Sequence, residues 1–386
     1  MSRSALHSDS FPDNKPPDNS SEDKKPTNSE CELSYDILTI IFKKLNARDL
    51  RNAARVCRCW SEAAENEKKV RRDSTLTLVG EVTDSWSSLH PGELFVDRLR
   101  MKPMLGLTFT NQLFDARVVA KENKTDCPCG SLPSTCPNIV VGNRGLISDQ
   151  TEYEFADLIE NRPKVACIFL PEERGVTVKT MCIPLLTSEQ NEEPSHCKRQ
   201  TLSRTKKRLK KFFTIEDKVE SIILLSCGYD PVAYDALENI PRDRYESLWG
   251  GNVGNLAICK WDENGTVCNK SMAFIGILIS GPSVRSWGIV LGGECNTQEK
   301  VEAKLKLLKN QVKLKKHSMG FIFACTERGE SMFSEKNVES TIFKKLFPEV
   351  SLMGSSGNGE FGDSTIEPME RRTHSYSSVY MILTYG

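Results

Sequence analysis

The sequence predicts an α+β chain in which a small three-helix unit precedes a large mixed α/β domain built of two sub-lobes. Three observations predict it. Apolar residues from Cys31 to Arg72 recur at helical spacing. Beyond Arg72, runs rich in Val, Ile, Thr, Phe and Tyr alternate with helical stretches. Glycine, proline or charged turns bound those runs.

Residues 1–30 are rich in Ser, Asn, Asp, Lys and Pro, too polar to offset ordering entropy, and read as a disordered tail. They hold no apolar signal segment, so the 14 cysteines are expected as reduced intracellular thiols. The helical unit spans 31–72. Ser34 caps its first helix, with Ile37, Leu38, Ile41, Phe42 and Leu45 at helical spacing. Asn46 caps a second helix that carries Leu50, Ala53 and Ala54, and a third carries Val56, Cys57, Trp60 and Ala64. Three short helices make a small core, so the unit needs another surface to lean on.

The domain at 73–386 follows. Strands are expected at Ser74–Val79, Leu105–Thr110, Val165–Leu170, Val176–Ile183, Val219–Ser226, Ser271–Ser280, Val284–Leu291, Gly320–Cys325 and Ser375–Tyr385. Gly281-Pro282 reads as a tight hairpin turn. One helix is expected from a cap at Asn296, another from Asn337 to the stop at Pro348. Polar inserts interrupt the domain at 121–137 and 187–211.

Lys plus Arg total 52, as do Asp plus Glu, which argues against a whole-chain polyanion binder; nucleic acid is not an expected partner. No apolar run approaches the roughly 18 residues of a membrane helix, so no membrane partner is expected.

The helical unit resembles an F-box through Leu33, Ile37, Leu38, Ile41 and Leu45, then Asp49-Leu50, then Val56-Cys57-Arg58-Cys59-Trp60. Ser34 departs from the proline that many F-boxes have there. The C-terminal region is similar to the FIST C-terminal domain family. Gly320-Phe321-Ile322-Phe323-Ala324-Cys325 with Arg328-Gly329 carries the likeness, with the helix from Asn337, the loop Gly354 to Gly362 and the strand opened by His374-Ser375-Tyr376. The resemblance thus implies a small three-helix F-box followed by a large mixed α/β FIST-like domain. It also implies a substrate-recognition subunit of a Skp1–cullin–F-box ubiquitin ligase, promoting ubiquitination and proteasomal degradation of bound proteins. The partners would be Skp1 and, through it, cullin-1 and a RING protein. Such an adaptor is no enzyme: it works by proximity, raising the effective concentration of a substrate lysine. The alternative is a small-ligand-sensing FIST protein with a structural F-box.

Leu33, Ile37, Leu38, Ile41, Leu45, Leu50, Val56, Cys57 and Trp60 are the candidate F-box core and Skp1-facing residues. The glycine segment offers Gly354, Gly357, Asn358, Gly359, Glu360 and Gly362. Its G-x-G-x-x-G spacing precedes Asp363–Pro368, a poor helix, so no dinucleotide cofactor is expected. Either Asn358-Gly359 forms a hairpin turn or backbone amides line a small-ligand or peptide pocket. Cys325 is a small core residue, or a semi-reactive thiol whose pKa Arg328 lowers. A Cys–His hydrolase using His317 or His374 lacks a third group. Cys127, Cys129 and Cys136 give three thiolates where structural zinc wants four ligands, so no metal is expected. Lys206, Lys207, Arg208, Lys210 and Lys211 read as a solvated loop, a nuclear-import patch or a nucleic-acid contact. Cytoplasmic and nuclear residence is expected.

Overall fold

The structure is a computed structural model. It describes residues 33–71, 78–81, 99–111, 136–149, 151–153, 164–185, 207–208, 211–212, 219–228, 231–262 and 265–386. The expected disordered tail, nearly all of the 121–137 insert and most of the 187–211 insert lie outside these residues.

Three helices open the chain: α1 (Tyr35–Phe42), α2 (Ala47–Ala53) and α3 (Arg58–Val70). The body follows with β1 (Leu78–Glu81), β2 (Pro103–Thr110), β3 (Asn138–Gly142), β4 (Gly145–Ser148) and β5 (Thr151–Tyr153). Next come β6 (Lys164–Pro171), β7 (Thr177–Pro184), β8 (Val219–Cys227), α4 (Pro231–Glu238), β9 (Tyr245–Val253) and β10 (Asn255–Asp262). Then β11 (Gly265–Ser280), β12 (Arg285–Leu291), α5 (Gln298–Gln311), β13 (His317–Cys325), α6 (Glu330–Phe333) and α7 (Val338–Leu346). The chain closes with β14 (Ser351–Gly357), β15 (Glu360–Gly362), β16 (Thr373–His374) and β17 (Ser378–Tyr385). Three helices followed by a large mixed-sheet domain make the chain α+β.

Two sheets of the body share one core. An 11-stranded sheet runs β1-β6-β2-β3-β10-β11-β8-β9-β15-β16, with β7 pairing β11; a 6-stranded sheet runs β12-β17-β13-β14-β4-β5. The alternation of side chains along each strand explains the layering. On β13, Met319, Phe321 and Phe323 face the core between the sheets, while Ile322 and Ala324 face α5 and α7. On β17, Val379, Met381, Leu383 and Tyr385 face inward, while Tyr380 and Ile382 face the helices. Residues Val301, Leu305 and Leu308 of α5 and Ile342, Phe343 and Leu346 of α7 complete that outer layer. The other face of the large sheet is covered around α4, where Leu237 and Ile240 pack on Ile222, Leu224 and Phe274. Each large apolar side chain so buried contributes about 1.5–3 kcal/mol.

Several boundaries correct the sequence expectations. Thr297, not Asn296, caps α5: its hydroxyl accepts from Lys300 N at 3.4 Å, while Asn296 Oδ1 accepts from Lys300 Nζ at 2.9 Å. Asn337 sits at the start of α7 with φ 62° but does not cap it through its side chain. Its Oδ1 instead accepts from Glu152 N at 2.7 Å, tying the helix to β5. Gly281-Pro282 is a turn, with Val284 N donating to Gly281 O at 3.0 Å, yet not a hairpin: β11 belongs to the large sheet and β12 to the small one.

Candidate functional site

Local caps shape the helical unit. Ser34 Oγ accepts from Ile37 N at 3.4 Å, and Asn46 Oδ1 accepts from Asp49 N at 2.8 Å. Leu38 and Phe42, four residues apart, point inward with Leu50, Ala53, Ala63 and Ala64. Leu33, Leu45, Cys59 and Trp60 are half-buried against that core, and Phe42 meets Trp60 edge to face at 5.5 Å. Cys57 is half-buried and heads α3 without a side-chain cap. The opposite side of α1 is apolar but exposed: Ile37 is 46% exposed, Ile40 64% and Ile41 39%, and Val56 beyond α2 is 62%. The nine candidate residues therefore divide, with Leu38 and Leu50 inside and Ile37, Ile41 and Val56 outside. Sequence spacing alone missed Ile40, although the stretch Ile37 to Ile41 carries it in plain view.

Arg71 fastens this unit to the body. Its side chain is buried, and Nε donates to Glu67 Oε1 at 3.0 Å. Its Nη2 donates to Phe42 O and Leu45 O, each at 2.8 Å, and Nη1 to Arg100 O at 2.5 Å. Ala47 N donates to Leu99 O at 2.7 Å across the same seam. One guanidinium thus ties the ends of α1 and α3 to the segment leading into β2.

The glycine segment is not a loop. Gly354 and Gly357 lie within β14, and Glu360 and Gly362 within β15. Asn358-Gly359 is not a hairpin turn either, because β14 pairs β13 and β4 whereas β15 pairs β9 and β16. It is the point where the chain passes from the small sheet to the large one. Gly359 has φ +94°, and a Cβ there would meet Asn252 Nδ2 at 2.9 Å and Tyr234 Oη at 3.2 Å. A Cβ on Gly354 would stand 1.7 Å from Ile322 O. These glycines serve backbone conformation and close strand approach. The exposed Asn358 accepts from Thr326 Oγ1 at 3.2 Å.

Glu360 is buried beside this passage, and burial raises its carboxyl pKa to about 7 against the opposing pull of its donors. Ser377 Oγ donates to it at 2.7 Å, Ser377 N at 3.3 Å and Gly359 N at 3.2 Å.

Cys325 ends β13, buried, and its thiol is pushed up by burial, with the charge of Glu360 adding to the shift. This corrects the activated-thiol reading. Arg328 turns away from the sulfur: Nη2 donates to Glu339 Oε1 at 2.8 Å and Cys295 O at 3.0 Å, and Nη1 to Gly292 O at 3.0 Å and Tyr376 O at 3.2 Å. His317 opens the nine-residue strand that Cys325 ends, a span of roughly 26 Å, so the two cannot form a catalytic pair. His374 Nε2 lies 3.0 Å from Gly362 O.

Cys127, Cys129, Lys206 and Lys210 lie outside the described residues. Burial pushes the Cys136 thiol up to about 12. No group of three or more metal-ligating side chains occurs among the described residues, nor any helix long and apolar enough to cross a membrane. Lys207, Arg208 and Lys211 are exposed; Arg208 Nη2 donates to Cys182 O at 3.2 Å, and the adjacent Phe212 packs against the α4 face.

Residues 35–74 match the F-box-like family model. The chain is 34% identical to F-box only protein 22 of Homo sapiens over 116 residues, covering 30% of this chain and 28% of that protein. The Pongo abelii protein of the same name matches at 34% over 116 residues, with the same shares of each chain. An F-box/LRR-repeat protein of Arabidopsis thaliana, At5g63520, is 35% identical over 94 residues, covering 22% of this chain and 18% of that one. The matches thus span under a third of the length of these relatives. Among solved structures, a cyanuric acid hydrolase from A. caulinodans aligns over 81% of this chain and 99% of its own, at 7% identity and a TM-score of 0.35, which carries no argument. The three helices with their shared core are an F-box-like domain, set before a mixed-sheet body in a chain similar to F-box only protein 22.

Proposed function

We propose that the chain is the substrate-recognition subunit of a Skp1–cullin–F-box ubiquitin ligase. Skp1 docks on the F-box, cullin-1 and a RING protein follow through Skp1, and the FIST-like body presents a protein substrate for ubiquitination and degradation. One observation carries this reading: Ile37, Ile40, Ile41 and Val56 stay exposed while Leu38, Phe42 and Leu50 fill the internal core. An apolar patch left over after a helical unit has satisfied its own core is the signature of an interaction surface. The mechanism is proximity, and no residue of this chain performs covalent chemistry. The basic segment around Lys207, Arg208 and Lys211 serves as a nuclear-import patch, giving both cytoplasmic and nuclear residence. The deciding experiment is co-purification with Skp1. The Ile37→Asp, Ile41→Asp variant is expected to keep its helices and lose Skp1; a folded variant that retains Skp1 sinks the proposal.

A second reading, a small-ligand sensor, is favoured by the sheet passage. Among the described residues, buried Asn143 leaves its Nδ2 and Asn252 its Oδ1 without a hydrogen-bond partner; the Asn143 side chain stands near Gly357 and that of Asn252 near Gly359. A small-molecule thermal-shift response in wild type that is absent in Asn143→Ala would support it, whereas equal responses would refute it.

A further inference from the structure

We propose that the cleft between the F-box and the body binds a compact, multiply phosphorylated small molecule. The cleft has a volume of about 690 Å³, within the range of small-ligand sites. Its walls come from two units: α2 and α3 on one side, and the segment 99–103 with Glu172, Glu173 and Lys316 on the other. Nine of the lining side chains are Lys or Arg and three are Glu, in a chain whose cations and anions are equal in number overall.

The three acids are already engaged. Glu65 takes Lys68 at 2.6 Å, Glu172 takes Lys102 at 2.8 Å and Glu173 takes Lys316 at 3.0 Å. Arg71 is neutralised by Glu67 from behind the wall. Arg51, Arg55 and Lys69 have no carboxylate partner among the described residues, and all three are exposed. Basic side chains do favour the last turns of α2 and α3, where helix dipoles attract cations. That accounts for Arg51, Lys68 and Lys69 singly. It does not account for further cations facing them from the body, where like charges concentrate in a concave space and repel.

An anion relieves that repulsion, and guanidinium forks match phosphate oxygens in paired hydrogen bonds. Among the described residues no aromatic side chain lines the cleft, so none of them stacks on a base and selects a nucleic acid. A cleft of this volume suits a compact ligand better than an extended acidic peptide. Because both walls carry charge, a bound polyphosphate would also tie the F-box to the body.

The test uses the full chain and inorganic tripolyphosphate, read by calorimetry near physiological ionic strength. Saturable binding that weakens as salt rises is expected. The triple variant Arg51→Ala, Arg55→Ala, Lys69→Ala is expected to weaken it by roughly tenfold or more, while Lys309→Ala, Lys313→Ala on and beyond α5 leaves it unchanged. Should the triple variant lose its helices, single Arg51→Gln and Arg55→Gln variants carry the same comparison. Absence of saturable binding, equal weakening in both variant sets, or binding of a hexaglutamate peptide without tripolyphosphate would each overturn the proposal.

Discussion

Arg328 and Glu339 form an ion pair at 2.8 Å in which both side chains are almost fully buried. Arg328 spends its remaining donors on the carbonyls of Gly292, Cys295 and Tyr376, and Glu339 accepts from Ser378 Oγ at 2.7 Å. The pair therefore joins α7, the turn after β13, the segment before α5 and the start of β17 at one point.

Removing one partner strands the other charge away from water. Arg328→Ala is expected to cost about 3–5 kcal/mol. Arg328→Met with Glu339→Gln should recover part of that loss, since no bare charge remains. Urea denaturation measures both; a single variant within about 0.5 kcal/mol of wild type would show that solvent reaches the site.

The F-box core and its outer face should separate cleanly. Leu38→Ala empties a fully buried position and is expected to cost about 2–5 kcal/mol, whereas Ile41→Asp should stay within about 0.5 kcal/mol. Hydrogen exchange of α1–α3 reads the difference. Aspartate at Leu38 or Leu50 is accordingly a poor probe of adaptor docking, because it unfolds the unit before it tests the surface.

Glu360 should give a pH signature opposite to that of a salt-bridged carboxylate. Its folded pKa is about 7 against an ordinary value of 4.5. Between these values the folded chain holds a proton the unfolded chain has released, so stability falls as pH rises through that window. The full loss is about 3 kcal/mol. Glu360→Gln should flatten this part of the profile and exceed wild type in relative stability at higher pH. Melting curves across the window check it; parallel profiles would mean that Glu360 is ionised throughout.

Gly354→Ala should be among the more damaging small substitutions in the body. Its methyl group would meet the Ile322 carbonyl of the parallel neighbour, so β13 and β14 must part, at a cost of about 1–3 kcal/mol or more. Thermal unfolding tests this, with Gly228→Ala as a contrast: that glycine has φ +74° but open space around it, so only backbone strain is felt.

Strands rich in apolar residues are legible from the sequence, and the expected runs at β2, β6, β8, β13 and β17 start within three residues of the observed strands. Among the strands not expected, β9 and β14 carry glycines at points of close strand approach. In β9, a Cβ on Gly250 would stand 1.7 Å from Leu224 O of the parallel strand β8. Glycine there permits close approach, but in a sequence it punctuates, so the segment Gly354 to Gly362 reads as a loop and Tyr245–Val253 is not read as a strand. The candidate F-box residues follow from helical spacing and the F-box pattern, yet their division into core and surface needs three helices in contact.

By itself the sequence determined the local terms: helical periodicity over α1–α3, caps at Ser34 and Asn46, alternation along β13 and β17, and the F-box pattern. These depend on neighbours within a few residues, where spacing alone fixes which side chains share a face. Only the tertiary structure decided that Gly281-Pro282 and Asn358-Gly359 carry the chain between sheets, that Arg328 turns from Cys325 to Glu339, and that cations from two units meet in one cleft. Each of those outcomes depends on partners far apart along the chain, whose approach is set by packing of the whole core.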